Sequence, residues 1–236
     1  MLETKYLYLA LNIFTISVPL IRGFEHRIRF VKSFVHLLPA VVIVGGVFIV
    51  WDVWFTSMGV WGFTPAYLTG IDIGNLPLEE WLFFITVPIA CVFIYRVLNF
   101  FWPTPFFRLA TAYKFNLFLA FFAFALTIMH TDKWYTGVNF GLITVYLLYV
   151  QYVSKPSWLA HFYRSYLVAL IPFFIVNGIL TGFGLESQVV WYNDDHNLGM
   201  RIATIPFEDA FYGMLLVMGV VDLYERFSKN AYHKTQ

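Results

Sequence analysis

The sequence has little charge and almost no cysteine. Only 12% of its 236 residues are Asp, Glu, Lys or Arg, whereas 60% are hydrophobic and 21% are aromatic. This composition excludes an ordinary soluble domain, in which about a quarter of the residues are charged. The single cysteine, Cys91, excludes an internal disulfide and a cysteine-rich metal site. A net charge of +1 without a basic tract gives no reason to expect a nucleic-acid partner.

Motifs for several kinds of cofactor are also missing. No Gly-x-Gly-x-x-Gly run is present for a flavin or nicotinamide dinucleotide. A membrane prenyltransferase needs two Asp-rich motifs for Mg²⁺ and diphosphate, and Asp194-Asp195 is the one Asp pair in the chain. A retinal protein needs a lysine in the middle of its last span, and Lys229 lies beyond that span. The sequence therefore predicts no cofactor and no metal.

Hydrophobic runs long enough to cross roughly 30 Å of hydrocarbon, at about 20 residues each, occur seven times. We predict spans at approximately 6–21, 34–57, 80–101, 107–129, 135–153, 162–181 and 207–226. Basic residues cluster in the short loops after spans 1, 3 and 5 and in the tail. This bias predicts a multi-pass protein of the cell membrane with its N-terminus outside and its C-terminus in the cytoplasm.

A proline followed by two acids occurs twice, each time before an apolar segment. The two copies align at one constant separation along the chain, which we call the repeat offset. This offset matches Pro77 with Pro206, Glu79 with Glu208, Glu80 with Asp209, and Phe83 with Tyr212. Proline is favoured in the first turn of a helix, and acids there meet the positive end of the helix dipole. Each copy therefore predicts a helix start, where the carboxylates either cap the helix or face a shared site.

The two copies belong to longer repeats, because each follows two spans and a long aromatic loop. We predict an all-α membrane protein in which two parallel three-helix repeats, approximately 1–104 and 133–230, are joined by a linker span at 105–132. Four spans separate the two acidic motifs, which places both motifs at the same depth. The whole chain, 1–236, then forms one membrane domain with a cavity at the interface between the repeats.

Carboxyl groups at membrane depth are costly and usually functional. Asp52 lies in span 2 and Asn177 in span 6, where the two side chains either serve a site or bond to each other across the bundle. Neighbouring carboxyls in apolar surroundings resist losing their last proton. A neutral acid ringed by aromatic side chains fits protonation of an alkene, because aromatic faces stabilise a carbocation and a second carboxylate can remove a proton. The expected substrate is a lipid-soluble polyene or isoprenoid.

Four stretches of the sequence carry a combined pattern. They are Pro77-Leu-Glu-Glu with Phe83-Phe84, Ile205-Pro-Phe-Glu-Asp with Tyr212, Val176-Asn-Gly-Ile-Leu-Thr-Gly-Phe-Gly, and Val190-Trp-Tyr-Asn with Gly199-Met-Arg-Ile-Ala-Thr-Ile-Pro. In combination they resemble the integral-membrane carotenoid (lycopene) cyclases over nearly the whole length. The chain looks like the fused form of a cyclase that some bacteria make as two small subunits.

The resemblance implies an enzyme of the intramolecular lyase or isomerase type, which converts the linear ψ ends of lycopene to β rings through a carbocation without net redox change. The predicted catalytic residues are Glu79, Glu80, Glu208 and Asp209. The predicted supporting or substrate-binding residues are Asp52, Asn177, Asn193, Arg201, Phe83 and Tyr212. Which carboxylate is the acid and which the base is left open, although Arg201 could hold one of them ionised.

Two alternatives remain at this stage. A carotenoid 1,2-hydratase would protonate the same double bond and admit water, giving a tertiary alcohol instead of a ring. A non-catalytic carotenoid-binding membrane protein could be built from the same aromatic helices. The expected partners are lycopene and membrane lipid, with association of identical chains left open. The sequence does not distinguish β from ε or γ rings, or one cyclised end from two.

Overall fold

The computed structural model describes the backbone of residues 4–234 and the side chains of residues 4–229. These residues form seven α-helices, which begin within a few residues of the predicted spans. They are α1 (Leu7–Gly23), α2 (Phe34–Ser57), α3 (Leu78–Phe101), α4 (Leu109–Met129), α5 (Trp134–Tyr149), α6 (Leu159–Leu180) and α7 (Phe207–Lys234). A π-helical turn, Val150–Ser154, continues α5. The predicted all-α membrane class is confirmed.

Five of the helices, α2 to α6, are long and apolar enough to cross a membrane. Their outer faces expose large apolar side chains such as Val35, Val42 and Ile171, as contact with lipid requires. α1 is also apolar but has only 17 residues, and α7 begins with two acids. The helices therefore fit a multi-pass membrane protein, while the count of seven crossings depends on α1 and α7 and stays a prediction.

The helices pack as two matching sets of three, α1 to α3 and α5 to α7. α1 packs on α3 in the first set, and α5 packs on α7 in the second. Between the sets, α2 packs on α7 and α6 packs on α3, so each of these contacts has a counterpart in the other set. α4 lies outside both sets, against α5 and α6. This arrangement supports two parallel repeats, whereas the boundaries 1–104, 105–132 and 133–230 stay a prediction.

Short strands join the loops that precede α3 and α7. They are β1 (Trp61–Phe63), β2 (Asp72–Ile73), β3 (Leu76–Pro77), β4 (Val190–Tyr192), β5 (Arg201–Ile202) and β6 (Ile205–Pro206). β1 pairs antiparallel with β4, and Gly62 lies opposite Trp191, which is its own counterpart at the repeat offset. A Cβ atom at Gly62 would overlap the Trp191 indole, so glycine is required for this approach. The ladder thereby ties the two repeats together over one end of the bundle.

The helices that begin with the two acidic motifs, α3 and α7, each follow a tight hairpin. β2 pairs with β3 directly before α3, and β5 pairs with β6 directly before α7. The turn residues Gly74 and Ala203 are counterparts, and both have positive φ, of 70° and 57°. Pro77 and Pro206 end the hairpins one position before the first helical residue, where a strand end tolerates a missing N–H. The two predicted helix starts are therefore confirmed, but the prolines precede the first turn instead of lying in it.

The orientation in the membrane leads to a testable prediction. The distribution of basic residues in the loops predicts a cytoplasmic C-terminus and an outside position for the turn between α4 and α5. We expect a reporter that works only in the cytoplasm to be active at the C-terminus and inactive after Asp132, and an export-dependent reporter to give the reverse pattern. Reporter activity normalised to the amount of fusion protein is the measurement. The reverse result at both positions would invert the orientation.

Candidate active site

A small cavity of about 50 Å³ lies at the interface between the two helix sets, beneath β1 and β4. Three carboxylic acids line it: Asp52 from α2, Glu80 from α3 and Asp209 from α7. All three are buried. Apart from Asn177, the remaining wall is aromatic and apolar, and its rings belong to Tyr8, Trp61, Phe63, Phe83, Tyr135, Phe173, Tyr192 and Tyr212. The fold thus gathers acids from three helices into one aromatic chamber at the predicted repeat interface.

Asp52 and Glu80 form a pair of neighbouring carboxyls. The hydroxyl of Tyr8 donates to Glu80 Oε2 at 2.5 Å, and Trp61 Nε1 donates to Asp52 Oδ1 at 2.5 Å. Thr56 Oγ1 also donates to Asp52 Oδ1, at 3.2 Å. Asp52 Oδ2 is buried without a donor among the described residues, and the Glu80 carboxyl lines the same cavity. Two carboxyls buried together in apolar surroundings resist being ionised at the same time, so this setting suits retention of a proton by the pair.

Asp209 has a different environment, because three donors surround it. The hydroxyl of Tyr135 donates to Oδ1 at 2.7 Å, while Asn177 Nδ2 and the Tyr192 hydroxyl donate to Oδ2 at 2.7 and 3.0 Å. Burial, and next the nearby Asp209 carboxylate, raise the pKa of Tyr192 well above its ordinary value, so its hydroxyl stays protonated and donates. Hydrogen bonds donated to a carboxylate favour its charged form. Asp209 is therefore the cavity acid best placed to act as an acceptor.

Two further pairs of matching residues, which the sequence reasoning missed, support the acids from α1 and α5. Tyr8 and Tyr135 donate to Glu80 and Asp209, and one helical turn later Asn12 and Asn139 occupy corresponding positions. The Nδ2 atoms of Asn12 and Asn139 donate to the backbone carbonyls of Glu79 and Glu208, each at 3.0 Å. The signal was available in the sequence as a repeated Tyr-x-x-x-Asn at the start of the first helix of each repeat.

Glu79 and Glu208 are fully buried but lie outside the cavity wall. Glu79 Oε1 accepts the backbone N–H of Thr69, and Glu208 Oε1 accepts the backbone N–H of Leu198, each at 2.8 Å. Thr136 Oγ1 also donates to Glu208 Oε1, at 2.6 Å. The second oxygen of each carboxylate has no partner among the described residues. These two glutamates thus fasten the loops before α3 and α7, and the neighbouring acids face the cavity.

Phe83 and Tyr212, the aromatic counterparts in the two motifs, both line the cavity. The Tyr212 ring packs against Phe48 and Trp51, with centroids 4.9 Å away in each case. Trp61 packs edge-on against Tyr135 with centroids 5.1 Å apart. These contacts fix the ring positions, and rings at this spacing present π faces that attract a cation.

The remaining predicted residues are divided between the cavity and the loop before α7. Asn177 lines the cavity and donates to Asp209, not to Asp52, so the alternative of a direct bond between Asp52 and Asn177 is not observed. Asn193 lies in the loop, where its Oδ1 accepts the backbone N–H of Asp195 at 3.0 Å. Within the described residues it does not line the cavity and makes no hydrogen bond to the cavity acids.

Arg201 pairs with a loop acid instead of a motif acid. Its Nη2 lies 2.6 Å from Asp194 Oδ1, and its Nη1 donates to the carbonyl of Thr204 at 3.0 Å. The hydrogen bond from Asn197, and then the bond from Arg201, lower the pKa of Asp194. The expectation that Arg201 holds a motif carboxylate ionised is therefore corrected: its short hairpin keeps the guanidinium beside Asp194.

The fold and this cavity define an integral-membrane helical protein with a buried acid site enclosed by aromatic side chains. Among the described residues, no group of three or more His, Cys, Asp or Glu side chains has the arrangement of a metal site. A family model described as Lycopene cyclase matches residues 5–98 and 132–227, the two segments that contain the matching helix sets. The chain belongs to the lycopene cyclase family. No match was found among curated proteins or solved structures.

Membership of this family confirms the resemblance read from the motifs, including its extent over both repeats. It places the protein among the enzymes of carotenoid biosynthesis, with a lipid-soluble carotenoid as substrate.

Proposed function

We propose that the protein closes the linear ψ ends of lycopene into β rings by acid–base catalysis, with no net redox change and no cofactor. The observation that carries this proposal is the meeting of Asp52, Glu80 and Asp209 in one aromatic cavity. Among the side chains that the structure describes, no Lys or Arg lines that cavity. The acids therefore face each other and the substrate space, which suits proton transfer better than structural ion pairing.

The first step is protonation of the terminal double bond. Asp52 and Glu80 are the donor pair, because two carboxyls so close together in apolar surroundings retain a proton between them. Tyr8 and Trp61 each donate to one member of the pair and orient it. Adding this proton to the terminal carbon–carbon double bond leaves a tertiary carbocation on the substrate and one additional negative charge on the carboxyl pair, which is then fully ionised.

The second step forms the ring. The electron pair of the next double bond attacks the cation, which makes the ring carbon–carbon bond and moves the positive charge to a second tertiary carbon. The rings of Trp61, Tyr135 and Tyr212 surround this space and can stabilise the moving charge through their π faces. The substrate itself fills the cavity, so water has little room to trap the cation.

The last step removes a proton beside the second cation and creates the ring double bond. Asp209 is the base, since three donors favour its carboxylate and it lies on the opposite helix set from Glu80. One proton is added to the substrate and a different proton is removed from it, so the reaction is an isomerisation; the proton taken up by Asp209 must return to the donor pair before the next turnover. Glu79 and Glu208 support the site by holding the two loops closed over it through Thr69 and Leu198.

The proposal is tested with purified protein in lipid vesicles that contain lycopene. We expect ring-containing hydrocarbon, identified by pigment chromatography, without added nucleotide, flavin or metal ion. Vesicles without protein give the background. A tertiary alcohol would identify a hydratase, and unchanged lycopene beside folded protein would identify a non-catalytic carotenoid-binding protein. An absolute requirement for reduced flavin would contradict the role given to the carboxyls alone.

A further inference from the structure

A second cavity adjoins the acid cavity. It is an apolar groove of about 270 Å³ between α1, α3 and α6. Four residues line both spaces and separate them: Phe83, Val87, Phe173 and Asn177. Apart from Asn177, the shared partition is apolar. Two phenylalanine side chains, Phe83 and Phe173, therefore stand between the groove and the acid site.

The groove opens on the lipid-facing side of the bundle. Phe14 and Val18 of α1 line it, and these side chains are 62% and 50% exposed. Pro19 in α1 and Pro172 in α6 also line it, and each lies inside its helix. A proline inside a helix removes a backbone hydrogen bond and favours a bend. Both α1 and α6 therefore carry, beside the opening, a residue that disfavours straight packing of one helix along the other.

The corresponding position in the other helix set is tightly packed. Ala90 and Phe173 of the groove have Gly219 and Val44 as their counterparts at the repeat offset. A Cβ atom at Gly219 would lie 3.2 Å from Val44 Cγ1, so α7 and α2 are in close contact there. The two helix sets therefore differ at this depth: α3 and α6 leave a groove where α7 and α2 meet.

The acid cavity is much smaller than the groove beside it. Its volume is about 50 Å³, whereas that of the groove is about 270 Å³. The groove therefore offers the larger space for the conjugated chain while its end reacts. The groove is apolar, adjoins the acids and is open to the phase in which lycopene dissolves.

We propose that this groove binds the polyene chain of lycopene, which enters from the lipid with one ψ end leading between Phe83 and Phe173 to the acids. The proposal rests on the function proposed above. Because the groove reaches the acids from one side, one end of lycopene reacts in each binding event. The one-ringed product then leaves and returns with its other end before the second ring forms.

The test obstructs the groove without touching the acids. Ala90→Phe places a large side chain in the groove, and Ala125→Phe makes the same change on the exposed face of α4. Lycopene retained per protein in detergent is measured in the Glu80→Gln background, so binding is followed without turnover. We expect Ala90→Phe to lower retention about tenfold or more and Ala125→Phe to leave it unchanged, because the obstructed groove loses the apolar surface that the polyene buries.

Turnover supplies a second measurement. With otherwise active protein, Ala90→Phe should raise KM for lycopene about tenfold with kcat less affected, because bound substrate still meets intact acids. A short isoprenoid that carries one ψ end and does not fill the groove should be converted equally well by Ala90→Phe and by Ala125→Phe. Free one-ringed pigment should appear in the vesicles before two-ringed pigment.

Equal lycopene retention by Ala90→Phe and Ala125→Phe would overturn the groove proposal. An equal decrease in the turnover of lycopene and of the short isoprenoid by Ala90→Phe would also overturn it. Two-ringed product formed with no release of one-ringed pigment would overturn processing of one end at a time. Failure of the unaltered protein to form any ring would overturn the proposed reaction instead, and retention would still decide the groove proposal.

Discussion

Glu80→Gln is expected to lose most ring formation while the protein stays folded in the membrane. Glutamine keeps the shape of the side chain and an oxygen that accepts from Tyr8, but it cannot share a proton with Asp52. Acid–base groups typically contribute 10²–10⁴-fold, so we expect a decrease of roughly that size in the rate. The measurement is ring product per amount of protein, by pigment chromatography of vesicles with matched protein content.

The matched control is Glu79→Gln, the same substitution at the adjacent position. Glu79 is buried but outside the cavity, and a glutamine oxygen can still accept the N–H of Thr69. We expect a loss of stability of about 1 kcal/mol and a small change in rate, as for a weakened hydrogen bond. A large loss in Glu79→Gln together with normal activity in Glu80→Gln would move the donor role to Glu79.

Asp209→Asn should have the second large effect. Asparagine places an NH₂ group where Asp209 accepts hydrogen bonds from Tyr135, Asn177 and Tyr192, and it removes the base of the last step. We expect a decrease of about 10²-fold or more in ring formation. Combined with Glu80→Gln, it should be little worse than the stronger single variant, because the acids act as one unit.

Asp222→Asn is the control for Asp209→Asn, since it makes the same change farther along α7. Asp222 pairs with Arg226 at 3.0 Å and does not line the acid cavity. We expect this variant to keep its ring formation at matched protein content. Wild-type rates from Asp209→Asn would remove Asp209 as the base and leave Glu208 as the nearest candidate on the same helix.

The amino-acid sequence by itself determined the membrane class, the starts of the helices and the repeat. Long apolar runs have few ways to satisfy their backbone groups in lipid other than as helices, so composition and run length were sufficient. The repeat offset also paired the correct positions, including Glu80 with Asp209 and Phe83 with Tyr212. These properties are encoded locally, in residues that are near one another along the chain or repeated at a fixed distance.

The tertiary structure decided which of two adjacent acids faces the cavity. Glu79 and Glu80 are consecutive helical residues, and at 3.6 residues per turn their side chains point about 100° apart. The sequence does not show which direction is inward, because that depends on how α1 packs beside α3. Tyr8 and Asn12 of α1 bond to Glu80 Oε2 and the Glu79 carbonyl and so fix the rotation.

The aromatic wall and the loop contacts also depended on the tertiary structure. Because 21% of the residues are aromatic, the sequence does not show that Trp61, Tyr135 and Tyr192 in particular line the cavity. Trp61 and Tyr192 meet because β1 pairs with β4 across the two repeats, and Tyr135 reaches them from the start of α5, so these contacts join residues far apart in the chain. The same loops turn Arg201 toward Asp194, since the hairpin places its guanidinium within 2.6 Å of that carboxylate.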